Sequence, residues 1–290
     1  GLMGIALAPD FGSSHRVYVV GTFESGGKLV NRVLQLRDSA GRGRDQKVLI
    51  DNIPSAPNHA GDGVAFGPDG MLYVGTGDAR TPSIAQEMSS LGGKILRYTP
   101  AGGIPTDNPT PGSPVFALGV RNVQGLAWDA ASGQLFATEH GPSGFPNERF
   151  RHDNDELNAI RRGGNYGWPA VAGSGGDARY IDPIAVWTPG IAPSGLASYS
   201  GDEIPEWRGN LFVGALRGEQ LRRIVVARDS GSTTGWRVAG QFPMYVSELG
   251  RIRAVAMGPD GHLYFSTSNR DGRGSPSRSD DRIFRLVRRQ

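Results

Sequence analysis

GVAFGPDGMLYVGTGD, residues 63–78, is the stretch on which the fold is read. Small and apolar residues run from Val64 to Phe66, and Pro68, Asp69 and Gly70 then reverse the chain. Proline presets φ for the turn, aspartate bonds its own backbone, and glycine accepts positive φ. Leu72 to Gly75 resumes an alternating apolar run, and the exit is Gly-rich and polar. The unit is a β-hairpin. Related units begin at Gly4 (GIALAPDFGSSHRVYVVG), Gly125 (GLAWDAASGQLFATEHGP), Gly195 (GLASYSGDEIPEWRGNLFVGAL) and Ala254 (AVAMGPDGHLYFSTSN). Their starts lie 59 to 70 residues apart. Each hairpin leaves room for a second strand pair, such as KILRYTP at residues 94–100 and LRRIVVA at 221–227. Four strands in each unit of roughly 60 residues describe a β-propeller blade. The fold class expected is all-β, with residues 1–290 forming one propeller domain. Only SIAQEMSSLG, residues 83–92, has room for a helical turn or two. Five blades are visible. A five-bladed ring, or a six-bladed one whose first blade lies upstream of the strand-like opening GLMGIALAPDF, both fit.

Composition narrows the function. The 290 residues carry 31 basic and 28 acidic side chains, interleaved, for a net charge of +3. That is no nucleic-acid footprint. The last eleven residues, DDRIFRLVRRQ, hold four arginines, alternating with apolar residues as a solvated strand face does. There is no cysteine, so disulfides and thiolate metal sites are excluded. No run of about 18 apolar residues exists to span a membrane. The 44 glycines and 20 prolines, beside a 38% apolar fraction, indicate turns, not disorder.

Polar residues crowd at strand ends between residues 119 and 169. Arg121, Asn122 and Gln124 stand at an apolar strand. Glu139, His140, Gly141 and Pro142 follow the next one. Asp155 and Glu156 precede Asn165, Tyr166, Gly167 and Trp168. Such residues on the loops of a rigid scaffold mark a binding site.

The segments GLMGIALAPDF, NHAGDGVAFGPDGMLYVGTGD, LGGKILRYTPAGGIPTDNP, VFALGVRNVQGLAW, EHGP, DELNAIRRGGNYGWP, TPGIAPSGLASY, LFVGALRG and GRIRAVAMGPDG run in order across nearly the whole chain. In them the sequence resembles the soluble quinoprotein glucose/aldose sugar dehydrogenases, the glucose/sorbosone dehydrogenase family. The resemblance implies a six-bladed propeller, with one more hairpin unit upstream, and the cofactor pyrroloquinoline quinone (PQQ). It implies oxidation of an aldose at C1 to the lactone, with hydride passing to the quinone. His59 would be the general base, its imidazole suited to proton transfer near neutral pH, and Asp78 would orient it. The family often has an arginine four residues after this histidine, where this chain has Gly63, preceded by Asp62.

The same resemblance places Arg121, Asn122, Gln124, Arg217, Arg251 and Arg253 around the cofactor. Planar guanidinium suits the three carboxylates of PQQ, and Arg121 would also stabilise charge growing on the cofactor. Gly141 and Pro142 would offer backbone carbonyls to a Ca²⁺ ion beside the quinone, since Ca²⁺ takes oxygen ligands. Glu156 and Tyr166 resemble a second calcium site. Trp187 would either flank the quinone or pack in the core. Between the two metal sites lies SGFPNERFRHDN, a loop longer than the family pattern that is expected to reshape the cavity rim. Further expectations are an unidentified electron acceptor, a monomer or homodimer, and a periplasmic or secreted location. Two rivals remain at this level. One is a propeller that only binds carbohydrate or protein, and the other is a calcium-dependent lactonase-like hydrolase using the same histidine.

Overall fold

The structure is a computed structural model and describes residues 1–288. Arg289 and Gln290, the end of the arginine-rich tail, lie outside the described residues. Five antiparallel sheets follow one another along the chain. The first holds Leu2–Leu7 (β1), Arg16–Ser25 (β2), Lys28–Ser39 (β3) and Arg42–Pro54 (β4). The second holds Val64–Phe66 (β5), Leu72–Gly75 (β6), Lys94–Tyr98 (β7) and Val115–Leu118 (β8). The third holds Val123–Trp128 (β9), Leu135–Glu139 (β10), Asp155–Ile160 (β11) and Ala185–Trp187 (β12). The fourth holds Pro193–Ser198 (β13), Leu211–Ala215 (β14), Gln220–Arg228 (β15) and Trp236–Met244 (β16). The fifth has three strands among the described residues, Ile252–Met257 (β17), Leu263–Thr267 (β18) and Ile283–Leu286 (β19). The arrangement is a β-propeller of five blades, as the repeat predicts.

Each repeat read from the sequence is the first hairpin of a blade. The Pro-Asp-Gly turns show why these residues recur. Gly70 and Gly261 sit at φ +74° and +79°, where a side chain would be strained. Asp69 Oδ1 accepts the Met71 amide at 3.1 Å, and Asp260 Oδ1 accepts the His262 amide at 3.2 Å. The other carboxylate oxygen accepts a phenol from the returning strand, Tyr73 at 3.0 Å and Tyr264 at 2.8 Å. One aspartate thus closes the turn and staples it to the second strand, in two blades independently.

The apolar alternation is spent between blades. One core cluster joins the first and second blades through Tyr18, Val20, Leu72 and Leu96. Others join the second and third through Tyr73, Ile95, Val123 and Leu126, the third and fourth through Phe136, Leu157, Val213 and Ile224, and the fourth and fifth through Phe212, Leu221, Ile252 and Phe265. Successive first strands neighbour one another, β1 to β5, β5 to β9, β9 to β13 and β13 to β17. These strands line the axis. In the final strand Phe284 and Leu286 turn inward while Ile283 and Arg285 face out, as the alternation predicts for this part of the tail.

Helix is scarce among the described residues. The 83–92 stretch forms one 3-10 turn, Pro82–Gln86, and is otherwise irregular. A four-residue helix at Phe11–Ser14 and a 3-10 turn at Pro205–Trp207 were not anticipated from the sequence. The 82–93 segment is pinned by Lys94. Its buried ammonium donates to the carbonyls of Ile84, Ala85 and Gly92 at 2.7, 3.0 and 2.8 Å. All three ammonium donors are used, which is how a lysine is tolerated fully buried at the start of β7.

Topology then fixes where a site can form. In an antiparallel blade the start of the first strand and the end of the second lie on the same rim. His59 precedes β5, Arg121 and Asn122 precede β9, and Arg251 precedes β17. Asp78 follows β6, His140 to Pro142 follow β10, and Arg217 follows β14. All are therefore carried to one rim of the ring.

Candidate active site

The centre of this rim is a chain of contacts from Asp78 through His59 to Arg121. Asp78 is fully buried. Its Oδ1 lies 3.0 Å from His59 Nδ1 and accepts the Arg80 amide at 2.9 Å, while its Oδ2 accepts the Trp168 indole at 2.9 Å. On the far side of the ring, His59 Nε2 is 2.7 Å from Arg121 Nη2. A guanidinium has only donors, so Nε2 accepts and the ring proton sits on Nδ1 toward Asp78. The imidazole is held in the tautomer a general base needs, with its lone pair on Nε2.

Backbone geometry enforces that position. His59 has φ +58°, in the left-handed region that side chains rarely adopt. It is kept there because the segment leaving β6 passes directly beneath. A Cβ on Gly77 would stand 1.9 Å from the His59 carbonyl oxygen, so only glycine permits the approach. Gly141 plays the same part on the neighbouring blade, where a Cβ would stand 1.8 Å from the Asn154 carbonyl. Its amide donates to Asp155 Oδ1 at 2.9 Å.

Two adjoining cavities, of about 290 and about 370 Å³, lie on this rim, the larger opening beside His59. They share His140, Leu216, Arg251 and Arg273 along their boundary. The larger is lined by His59, Asp62, Asn122, Gln124 and Arg253, and the smaller by Pro142, Asp153, Asp155 and Arg217. Asn122 Oδ1 accepts the Gly61 amide at 2.9 Å and so ties the His59 loop to β9.

Three of the four arginines read from the sequence line this space. Arg251 donates to Asp271 Oδ2 and to the Leu216 carbonyl at 2.9 and 3.1 Å. Arg253 reaches the same Asp271 oxygen at 3.0 Å and Ser268 Oγ at 2.9 Å. Arg217 pairs with Asp153. Arg121 lines neither cavity. It is 1% exposed, behind His59, with Nε on Glu148 Oε1 at 2.7 Å and Nη1 on the His140 carbonyl at 3.0 Å.

Glu156 and Tyr166 stand away from the cavities. Glu156 accepts the Gly173 amide at 2.6 Å and Asn158 Nδ2 at 3.1 Å. Asn158 Nδ2 also reaches Glu139 Oε2 at 3.2 Å. Burial pushes the Glu156 carboxyl up to about 7 and raises that of Glu139 as well. The Tyr166 phenol donates to the Ala159 carbonyl inside the core. Trp187 also packs in the core, its indole on Gln241 at 2.8 Å, so it does not flank the site. Among the described residues no cluster of three or more His, Asp or Glu side chains is arranged to hold a metal ion.

Five residues take parts in the site that the sequence did not assign to them, although His140 and Trp168 stood in its polar stretch. Trp168 fixes the second oxygen of Asp78. Glu148 neutralises Arg121. Arg273 adds a fourth guanidinium to the cavity wall. His140 presents an Nε2 that is buried and unpartnered among the described residues; burial first, then Arg121, holds its imidazole down to about 3, so it is neutral at working pH. Asp62, noticed only as a departure from a pattern, faces Arg253 in the larger cavity. Its Oδ1 is buried without a partner among the described residues.

Burial pushes the Asp62 carboxyl up to about 7 against the pull of Arg253. A carboxyl that keeps its proton longer when folded binds more protons in the native state between the ordinary carboxylate range, about 4, and about 7. Stability is then full below that window and falls as pH rises through it. Asp62→Asn is expected to flatten the slope, measured as the denaturant midpoint across this range. An unchanged slope would mean that Asp62 is ionised throughout.

The chain matches the family described as Glucose / Sorbosone dehydrogenase over residues 1–284. It is 32% identical to the aldose sugar dehydrogenase YliI of Escherichia coli K12, over 94% of this chain and 75% of that protein. It is 31% identical to quinoprotein glucose dehydrogenase B of Acinetobacter calcoaceticus, over 75% of this chain and 51% of that protein. Among solved structures, the PQQ-bound aldose sugar dehydrogenase of Streptomyces coelicolor superposes with a TM-score of 0.82 at 40% identity, covering 99% of this chain and 79% of that one. A family match over residues 1–284 and a shared propeller lead to one conclusion: the chain belongs to the glucose/sorbosone dehydrogenase family.

Proposed function

We propose that this protein is a PQQ-dependent aldose sugar dehydrogenase that oxidises the C1 hydroxyl of an aldose to the lactone. The observation that carries the proposal is the Asp78–His59 pair at the edge of the arginine-walled cavities. The donor set suits the cofactor. Arg217, Arg251 and Arg253, with Arg273, offer guanidiniums to a polycarboxylate, which would compete with Asp153 and Asp271 for them. Asn122 and Gln124 would orient it, and the neutral His140 has a free ring nitrogen to offer. The carbonyls of Gly141 and Pro142 accept no hydrogen bond among the described residues, which fits oxygen ligands for Ca²⁺. Glu156 and the main-chain oxygen of Tyr166 would hold a second Ca²⁺, whose charge would relieve the buried Glu139–Glu156 pair. When bound, PQQ supplies the two-electron acceptor and Ca²⁺ the Lewis acid that polarises it.

The chain's own part is proton transfer and position. His59 Nε2 takes the proton of the C1 hydroxyl. Asp78 fixes the tautomer and steadies the imidazolium that forms, helped by the Trp168 indole on its other oxygen. Arg121, within reach of Nε2, holds the reacting oxygen once it arrives. Residues 1–290 act as one propeller domain. The electron acceptor is a separate partner, the protein acts as a monomer or homodimer, and its place is periplasmic or secreted. No helix among the described residues is long and apolar enough to cross a membrane. Aldose-dependent reduction of an electron-accepting dye, with PQQ and Ca²⁺ supplied, tests the proposal. PQQ binding without dye reduction by any aldose would favour a binding module.

A further inference from the structure

The loop at residues 143–154 is mostly exposed, but Glu148 within it is buried, its side chain 1% accessible. One carboxylate there does two jobs. Oε1 accepts Arg121 Nε at 2.7 Å and forms an ion pair with Nη2 at 2.5 Å. Oε2 takes the amides of Ser143 and Phe145 at 2.9 and 3.1 Å. Glu148 therefore fastens the start of its own loop to the buried guanidinium. Ser143 Oγ accepts a further bond from Arg121 Nη2 at 3.2 Å.

The loop covers the base. The Phe145 ring meets His59 edge-on, with centroids 5.3 Å apart. The Arg80 guanidinium lies 4.8 Å from the centroid of the same phenylalanine, and Asn147 Nδ2 donates to the Arg80 carbonyl at 2.6 Å. With Phe145 on the ring and Arg121 on Nε2, only 6% of the His59 side chain is accessible. A substrate hydroxyl cannot reach the lone pair while the guanidinium donates to it.

We propose that Glu148 is a positioning residue: it seats residues 143–148 as a strap over His59 and holds Arg121 on Nε2, masking the base until a hydroxyl-bearing substrate displaces the guanidinium. The inference rests on His59 being the base of the proposed reaction. Its physical ground is the buried charge. Arg121 without Glu148 would be an uncompensated cation in a closed site, and such a group turns toward water or the cavity. The strap would lose its anchor with it, because the Ser143 and Phe145 amides would lose their acceptor. A sugar bound in the larger cavity brings its own oxygens to the guanidinium, so the exchange trades one acceptor of Arg121's hydrogen bond for another.

Acylation of histidines by diethylpyrocarbonate, mapped by peptide mass spectrometry on the protein without cofactor or sugar, tests the masking alone. Glu148→Ala is expected to raise the acylation rate at His59 by at least ~10-fold, as the strap's local opening becomes easier. Phe145→Ala, which leaves the Glu148–Arg121 pair in place, is expected to raise it less. Glu148→Gln, which keeps an acceptor for the strap amides, should restore part of the protection. The exposed His15 serves as the internal standard and should not change. If Glu148→Ala does not fold, Phe145→Ala decides. Wild-type rates at His59 in the folded variants would overturn the inference. A failed sugar-oxidation assay would remove the role of His59 as base but not its masking by the strap, since neither sugar nor quinone enters this measurement.

Discussion

His59→Asn is expected to lower aldose turnover by about 10³-fold while PQQ still binds, a loss in the range for removing a positioned general base. Asparagine is the informative choice. It tolerates the left-handed backbone that His59 adopts at φ +58°, so the loop need not rearrange. Its amide can still meet Asp78, but it has no group that takes up a proton near neutral pH. The loss should fall on kcat rather than on KM, because the missing interaction forms only as the hydroxyl proton leaves. Steady-state dye reduction at saturating PQQ measures it. Turnover within tenfold of the wild type would remove His59 from the chemistry.

The second large effect is on the cofactor. Arg251→Gln combined with Arg253→Gln is expected to weaken PQQ binding by about 10²- to 10⁴-fold, since a hydrogen bond to a charged partner is worth about 1.5–3 kcal/mol and two are lost. The two side chains flank the start of β17 and both lean on Asp271. Glutamine keeps a donor for that aspartate, which limits structural damage. Fluorescence titration of the protein with PQQ reads the change. The loss should shrink as salt rises, because the part removed is electrostatic. Equal affinities for variant and wild type would place the cofactor elsewhere.

The hairpins were legible before any coordinates, for a physical reason, whereas His59, Asp78 and the arginines were named through the family resemblance. The Pro-Asp-Gly turns need particular residues at fixed offsets, so the hairpins announce themselves. Once the hairpins are fixed, antiparallel pairing sends His59, Asp78, Asn122, Pro142, Arg217 and Arg251 to the same rim. What stayed hidden depends on contacts that no local pattern encodes. Trp168 and Asp78 are 90 residues apart, and Arg121 and Glu148 are 27 apart. The 143–154 loop stood out as extra length, which implied a changed rim. Nothing in SGFPNERFRHDN distinguishes Glu148 as a buried residue from its solvated neighbours. The resemblance left Trp187 either beside the quinone or in the core, and its contact with the Gln241 side chain holds it in the core. The resemblance placed Arg121 beside the cofactor, but the fold turns its guanidinium away from the cavities toward Glu148.

The central claim is that an aldose gives up two electrons in the cavity beside His59. The direct measurement is anaerobic addition of an aldose to the PQQ- and Ca²⁺-loaded protein, followed by counting the electrons delivered to a dye. The account predicts about two electrons per bound PQQ in the first turnover, appearing only when sugar, quinone and an intact His59 are all present. Tight PQQ binding with no electrons delivered for any aldose tried would contradict it.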